Sequence, residues 1–228
     1  MSGALDTLPR LKRSGPSPKA GIVHLGPGAF FRAFIAVCTD EVLKNQGGDW
    51  GIVAVSLKST HARDALAPQE GCYTSVSLSP QGRQTSVVSS LTRVLVAPEN
   101  PAAVVAQMAD SGVRVVSLTV TEKGYCHVPS TGRLQSDLPE IIHDLAHLDA
   151  PRTVPGLLVA ALAKRRAAGH RPFTVLSCDN LPENGKTARA VVLDFARLCD
   201  PELADWITSE TRFPSTMVDR ITPATTPE

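Results

Sequence analysis

Gly21-Ile-Val-His-Leu-Gly26-Pro-Gly28-Ala-Phe30-Phe31-Arg32 is the stretch that decides the fold. A short apolar run reaches two glycines spaced i, i+2, and residues 30–45 follow with helical character. This is the layout of a strand that enters a tight turn and then a helix N-terminus. The first turn of a helix carries N–H groups without internal partners and about half a positive charge, so it attracts a diphosphate. Gly26 would make the turn, and Gly28, lacking Cβ, would let phosphates approach the backbone. Phe31 stands where the usual dinucleotide fingerprint has its third glycine. From these residues alone two readings stay open: a dinucleotide turn, or an ordinary glycine turn ahead of a structural helix.

Outward from this segment, β-rich runs alternate with helix-like ones. Residues 50–57 (WGIVAVSL) read as a buried strand, and 61–68 as a short helix. Residues 73–78 and 85–96 are rich in Thr, Val and Ser and flank Ser79-Pro-Gln-Gly82, which predicts an antiparallel excursion in place of a crossover helix. Residues 98–111 read as a helix, 113–120 (VRVVSLTV) as the clearest strand, and 121–124 as a loop. Further helices are expected over 138–148, 157–168 (closed by Gly169), 185–199 and 201–207, with a short strand at 173–177. Strands alternating with helices predict an α/β fold, a doubly wound and mostly parallel sheet. The Ser, Pro and basic residues of 1–19 read as a loosely ordered lead-in, and 221–228 as a turn-rich segment.

Composition narrows the function. Lys and Arg total 23 against 22 Asp and Glu, and no basic stripe interleaves with aromatics, so nucleic-acid binding has no electrostatic support. No apolar run approaches the roughly 18 to 20 residues of a membrane span. The N-terminus shows no secretory h-region, and five scattered cysteines without a CxxC pair read as reduced thiols of a cytoplasmic protein. His143 and His147 share a helix face at i, i+4, but a third ligand is missing and Asp144 replaces the glutamate of the zinc-protease pattern. No metal is expected, and the pair reads as a solvated helix face. Neither Tyr73 nor Tyr125 has Lys four residues on, which excludes a short-chain dehydrogenase. No Gly-x-Ser-x-Gly elbow or P-loop is present.

Six ordered blocks resemble one family: HLGPGAFFRAF (24–34), WGIVAVSL (50–57), DALAPQEGCYT (64–74), VSLTVTEKGY (116–125), PFTVLSCDNLPENG (172–185) and FPSTMVDRITPATTPE (213–228). They match the N-terminal half of the polyol-specific long-chain dehydrogenases, which include mannitol 2-dehydrogenase and fructuronate reductase. The resemblance implies an expanded Rossmann-type domain over 20–228, incomplete at its C-terminal end, and a following helical domain that completes the substrate site. It implies reversible hydride transfer between a nicotinamide cofactor and a secondary alcohol or ketone of a sugar alcohol or hexuronate. The family's general acid–base is a lysine in Lys-x-x-x-x-Asn-x-x-His. None of the seven lysines here has Asn at +5, so this chain alone is expected to be inactive. A truncated, non-catalytic NAD(H)-binding module is the alternative.

The resemblance also assigns roles. Gly26, Gly28, Phe30 and Arg32 would line the cofactor path. Asn180 would hydrogen-bond the substrate hydroxyl or nicotinamide ribose, where its residue type alone suggests an Asx-turn or N-cap. Glu122 would relay a proton, against the plainer reading of a surface carboxylate. Asp219 would orient the substrate or the lysine of the second domain, against an exposed charge pair with Arg220. The cofactor implied is NAD. The second strand, however, ends Ser56-Leu57-Lys58-Ser59 with no acid before Asp64, so Lys58 or Arg63 would suit the 2′-phosphate of NADP as the alternative.

Overall fold

The computed structural model describes residues 9–222. The first eight residues of the lead-in and the last six of the turn-rich end lie outside the described residues. In chain order, β1 (Ala20–Leu25) leads to α1 (Ala29–Ala33), α2 (Ile35–Gln46), β2 (Gly51–Ser56), α3 (His61–Leu66) and a 3-10 turn (Ala67–Gln69). The strands β3 (Tyr73–Ser79) and β4 (Gly82–Val88) precede β5 (Leu91–Val96), α4 (Pro101–Ala109), β6 (Val115–Leu118) and the short α5 (Thr121–Gly124). A minimal hairpin, β7 (His127–Val128) and β8 (Arg133–Leu134), is followed by α6 (Pro139–Ala146) and α7 (Val154–Ala167). The last elements are β9 (Thr174–Ser177), α8 (Asn184–Cys199) and α9 (Pro201–Glu210).

Five strands form one sheet in the order β5-β2-β1-β6-β9, every pair parallel. The chain winds outward from β1 through β2 to β5, then returns to the other side of β1 for β6 and β9. Strand order therefore reverses between β1 and β6. That makes the carboxyl ends of these two strands the place where an open α/β sheet leaves a crevice.

Both faces of the sheet are buried, as parallel sheets require, and alternate residues of β2 show it. Val53 and Val55 join Val23, Leu25, Val116, Leu118 and Val175 in a large core covered by α4, α7, α8 and α9. Ile52 and Ala54 join Phe31, Ala36, Leu66, Val88, Leu91 and Val94 in a smaller core on the opposite face.

The structure refines several expectations. The helix expected over 30–45 is broken at Phe34 (φ −125°, ψ −70°), although Phe34 N–H still donates to the Phe30 carbonyl and Cys38 N–H to the Phe34 carbonyl. The run 85–96 is two strands. β4 pairs with β3 in the expected antiparallel hairpin, while β5 joins the main sheet beside β2. The chain turns at Ser89, whose N–H and hydroxyl both donate to the buried Asp40 carboxylate at 2.7 and 3.0 Å. Residues 121–124 are a helical turn and not a loop.

Three helices open with the devices that their sequences advertise. Asn100, Thr153 and Asp200 accept the N–H of Ala103, Gly156 and Glu202, and proline occupies the first turn each time. The entry to α7 is further set by Asp144, fully buried at the end of α6. Its carboxylate accepts Arg152 N–H, Thr153 N–H and the Thr153 hydroxyl at 2.7–2.9 Å, and His143 Nδ1 lies 3.0 Å away. Among the described helices this one is the most buried, with ten of its fourteen residues inside.

Hydrogen bonds to a charged acceptor contribute about 1.5–3 kcal/mol each and do not simply add. Asp144→Ala is therefore expected to lower stability by about 3 kcal/mol, read from the urea midpoint at neutral pH. An unchanged midpoint would remove Asp144 from the account of how α7 is placed.

Candidate functional site

The crevice begins at Gly26. Its φ is +89°, and a Cβ there would sit 2.2 Å from the Thr119 carbonyl, so the end of β1 can approach β6 only with glycine in place. Thr119 Oγ1 donates to the Gly26 carbonyl at 2.6 Å. The same oxygen lies 2.8 Å from Nε2 of His24, whose Nδ1 lies 2.8 Å from the Ser117 hydroxyl. Because the Thr119 proton is already committed, Nε2 must carry the imidazole proton and Nδ1 must accept from Ser117. Nε2 also reaches the Gly26 carbonyl at 3.2 Å. His24 is fully buried, and that burial lowers its pKa to about 3 against a smaller opposing effect from the Gly26 carbonyl. It is a neutral strut that joins β1, β6 and the turn.

Phe31, in the third glycine position, is fully buried and stacks on His24 with centroids 3.7 Å apart and planes 10° from parallel. In this fold the contact between α1 and the sheet is a stacked ring pair where glycine would otherwise allow close packing. Gly28 differs from Gly26. Its φ is −73°, and an added Cβ would meet nothing nearer than the Gly26 carbonyl at 3.9 Å. The protein's own packing does not require glycine there. Gly28 is also the N-cap of α1, and its position has no side-chain cap.

Arg32 donates from Nη1 to the Pro27 carbonyl at 2.9 Å and so braces the turn itself. Its own carbonyl accepts the Tyr73 hydroxyl at 2.6 Å, which ties the β3–β4 hairpin to α1. Phe30 is half-buried, with its ring 5.0 Å from that of Phe34. Lys58 is exposed in the turn after β2 and has no ion pair among the described residues. Arg63, the other cation of that corner, is held by Asp64 and Glu99.

On the far side of the crevice stands Asp179, just beyond β9 and buried. Its carboxylate accepts Val120 N–H at 3.1 Å, Thr121 N–H at 2.8 Å and the Tyr125 hydroxyl at 2.8 Å. Tyr125 is buried in turn, its oxygen bonded also to the Ser177 hydroxyl, and burial pushes its pKa up. The two N–H groups fix a turn in which Thr121, a β-branched residue, has φ +63°. Such a conformation costs about 1–3 kcal/mol and persists only where its surroundings over-determine it. Two charge-assisted bonds of about 1.5–3 kcal/mol each are sufficient to do so. Glu122 follows and is exposed, and Asn180, next to Asp179, is exposed as well. Cys178 is buried, which pushes its thiol up to about 11 and keeps it out of the thiolate form.

After α9 the chain runs on without helix or strand as a strap. The Arg212 carbonyl accepts Val175 N–H along the free edge of β9, and Thr216 Oγ1 donates to the Ser177 carbonyl at 2.8 Å. Asn184, fully buried at the start of α8, clasps Thr216. Its Nδ2 donates to the Thr216 carbonyl at 3.1 Å, and its Oδ1 accepts Thr216 N–H at 3.0 Å. Further on, the Arg220 guanidinium lies 5.4 Å from the centre of the Phe34 ring. The strap therefore leads from β9 back to the α1–α2 junction, across the side of the sheet where β1 and β6 end. Asp219 is exposed on it.

The residues singled out from the sequence thus come to one edge of one sheet: Gly26 to Arg32 after β1, Lys58 after β2, Glu122 after β6, Asn180 after β9, and Asp219 on the strap. His24, Thr119, Tyr125 and Asn184 are what sequence reasoning missed, and Asp179, beside Asn180, reads from the sequence as structural. Only His24 and Asp179, polar residues beside apolar strand runs, offered a signal. His143 and His147 pair at the end of α6 with centroids 4.9 Å apart, and the described residues contain no cluster of three or more metal-ligating side chains. No described helix is long and apolar enough to cross a membrane.

A sequence profile described as the mannitol dehydrogenase Rossmann domain matches residues 20–228. Mannitol 2-dehydrogenase of Phaeosphaeria nodorum is 47% identical over 225 residues, which cover 97% of this chain and 39% of that protein. The solved ternary complex of Pseudomonas fluorescens mannitol 2-dehydrogenase with NAD and D-mannitol superposes with a TM-score of 0.87 at 44% identity, covering 92% of this chain and 44% of that one. A D-sorbitol dehydrogenase in substrate-free form gives a TM-score of 0.87 at 38% identity, over 99% of this chain and 48% of that one. The chain spans less than half the length of the relatives it matches.

The state of His24 gives a pH test. It is neutral in the fold down to about pH 3, whereas in the unfolded chain it takes a proton near 6.5. Between those values the unfolded state binds more protons, so His24 contributes a loss of stability as pH falls through 6.5, and nothing above it. The loss is about 2 kcal/mol between pH 7 and pH 5. His24→Gln is expected to be less stable at pH 7 but to lose less on acidification, by comparison of urea midpoints at the two pH values. Equal losses in both proteins would show that His24 is not buried in its neutral form.

Proposed function

The chain belongs to the mannitol dehydrogenase family, and on that premise we propose that it forms the cofactor-binding part of an NAD-dependent oxidoreductase acting on a polyol. The reaction moves a hydride between nicotinamide and a secondary alcohol or ketone, of the mannitol/fructose type. The observation that carries this reading is the contrast between the two glycines. Gly26 is required by the chain's own geometry, and Gly28 is not, so open space beside an uncapped helix start is kept at Gly28 alone. Space of that kind suits a diphosphate drawn close to the backbone. The relatives named for mannitol and sorbitol support a polyol over a hexuronate.

NAD supplies the hydride-accepting or hydride-donating ring when bound. Gly26, Gly28, Phe30 and Arg32 hold its diphosphate and adenosine half. Asn180 donates a hydrogen bond from its exposed amide to the reacting oxygen or the nicotinamide ribose. Glu122, a solvent-facing carboxylate, passes a proton between the site and water. Asp219, exposed on the strap, orients the substrate or the lysine of the family's second domain. Lys58, exposed after β2 and without an ion pair among the described residues, would suit the 2′-phosphate of NADP, and NAD remains the assignment because the P. fluorescens relative was solved with it.

Residues 1–228 alone are expected to bind NADH, with NAD favoured over NADP, by fluorescence titration. Gly28→Val should weaken NADH at least about tenfold and leave the melting temperature within a few degrees, because its Cβ enters open space. Absence of NADH binding by the unaltered chain would overturn the reading, and a clear NADP preference would overturn the cofactor assignment. The same protein should show negligible mannitol oxidation or fructose reduction, since loss of a proton-transfer group typically costs about 100- to 10,000-fold. Substantial turnover would place the acid–base group inside these residues.

A further inference from the structure

We propose that Asp179 is a positioning residue that sets the three reacting-end groups, Glu122, Asn180 and Asp219, relative to one another. The inference rests on the reading that these three surround the reacting carbon. Asp179 itself is buried with its carboxylate committed to two amides and a tyrosine, so its role is exercised through the segments it holds.

Three attachments leave this one residue in three directions. Its carboxylate holds Val120 N–H and Thr121 N–H, one on each oxygen, and thereby the turn that ends in Glu122. Its main chain continues directly into Asn180. Its carbonyl accepts Nδ2 of Asn184 at 2.9 Å, the same nitrogen that donates to Thr216 on the strap that carries Asp219. The partners lie 58 and 59 residues away in sequence on one side and 32 residues beyond Asn184 on the other, so local chain stiffness cannot supply the same alignment.

A purely structural carboxylate would look different. Asp144 offers the contrast: it too is buried and accepts two backbone N–H groups, but those bonds brace the start of α7 and reach none of the segments that carry Glu122, Asn180 and Asp219. Asp179 instead braces a turn whose Thr121 is held at positive φ at the C-terminal end of β6. Strain kept at the end of a central strand, beside a crevice, is what a positioning role requires. The Tyr125 hydroxyl fills the remaining capacity of Oδ2 and is itself held by Ser177, so the carboxylate has little freedom to rotate.

The test separates the two ends of the cofactor site. NADH, which reaches the nicotinamide end, and ADP, which occupies only the adenosine and diphosphate end, are each titrated against residues 1–228. In Asp179→Asn one acceptor becomes a donor facing an N–H group or the tyrosine. NADH affinity should fall about tenfold or more while ADP affinity changes less than about twofold. Asp179→Glu keeps the charge and both acceptors but displaces them by one methylene, and it should show the same selective loss. It also carries the test should the asparagine variant fail to fold. Asp144→Asn should lower the melting temperature and leave the NADH-to-ADP affinity ratio unchanged. Equal losses for both ligands in the Asp179 variants, or no loss for either, would overturn the positioning role. Failure of the unaltered chain to bind either ligand would instead remove the cofactor reading on which it rests.

Discussion

The carbonyl of Gly26 is the point on which the rest of the crevice depends. A parallel sheet that reverses its strand order leaves two adjacent strand ends, β1 and β6, whose loops diverge. Here the divergence is checked by one oxygen. Thr119 donates to it from β6, and His24 donates from β1 to both it and Thr119. The turn that follows is therefore fixed before any ligand arrives. Position 26 then has no alternative to glycine, since a Cβ would strike the Thr119 backbone. The departure from the usual fingerprint follows from the same lock. With an imidazole held under α1, the facing position needs a flat apolar partner, and Phe31 stacks where a glycine would leave a gap.

Burial decides the chemistry of the polar groups beneath the site. An imidazole without a counter-ion is less costly neutral than charged in such a place, and His24 accordingly stays unprotonated with both nitrogens satisfied. A carboxylate in a comparable place needs donors, and Asp179 has three. The floor of the crevice is thus built from groups whose bonding is already complete. The side chains at its rim, Lys58, Glu122, Asn180 and Asp219, are exposed and make no hydrogen bond or ion pair among the described residues. Preorganisation below and availability above are the two conditions for a site that binds without rearranging.

Much of the fold was legible because its signals are local. Asn100-Pro101 and Asp200-Pro201 announce helix starts within two residues, WGIVAVSL announces a strand buried on both faces, and Ser79-Pro-Gln-Gly82 announces the hairpin. The split of 85–96 into β4 and β5 was not legible, because Asp40, 49 residues earlier, supplies the acceptors that turn the chain at Ser89. The helical turn at 121–124 was hidden for the same reason, being held by Asp179. Candidate residues at the rim could be named from motifs. The residues that aim them could not, since His24 meets Ser117 and Thr119 more than 90 positions away. Spacing along the chain reports periodicity and turn chemistry, and it carries no trace of a contact formed only after the sheet has assembled.

The two halves of the crevice are held by different physics. The half made by β1, β2 and α1 rests on backbone geometry: a glycine at positive φ, a ring stack, and an arginine folded onto its own turn. Such a half tolerates few side-chain choices but needs no distant partner beyond β6. The half made by β6, β9 and the strap rests on side chains that reach across long sequence separations, Asp179 to the 120–121 amides and Asn184 to Thr216. Its strap packs the half-buried Phe213 against the large core, while Met217 and Ile221 further along are exposed. The Asn184–Thr216 bonds are neutral and contribute about 1 kcal/mol each, so the strap is held less firmly than the turn fixed by the Asp179 carboxylate. The glycine turn is thus fixed by the fold itself, and the strap is the part of the crevice most easily displaced.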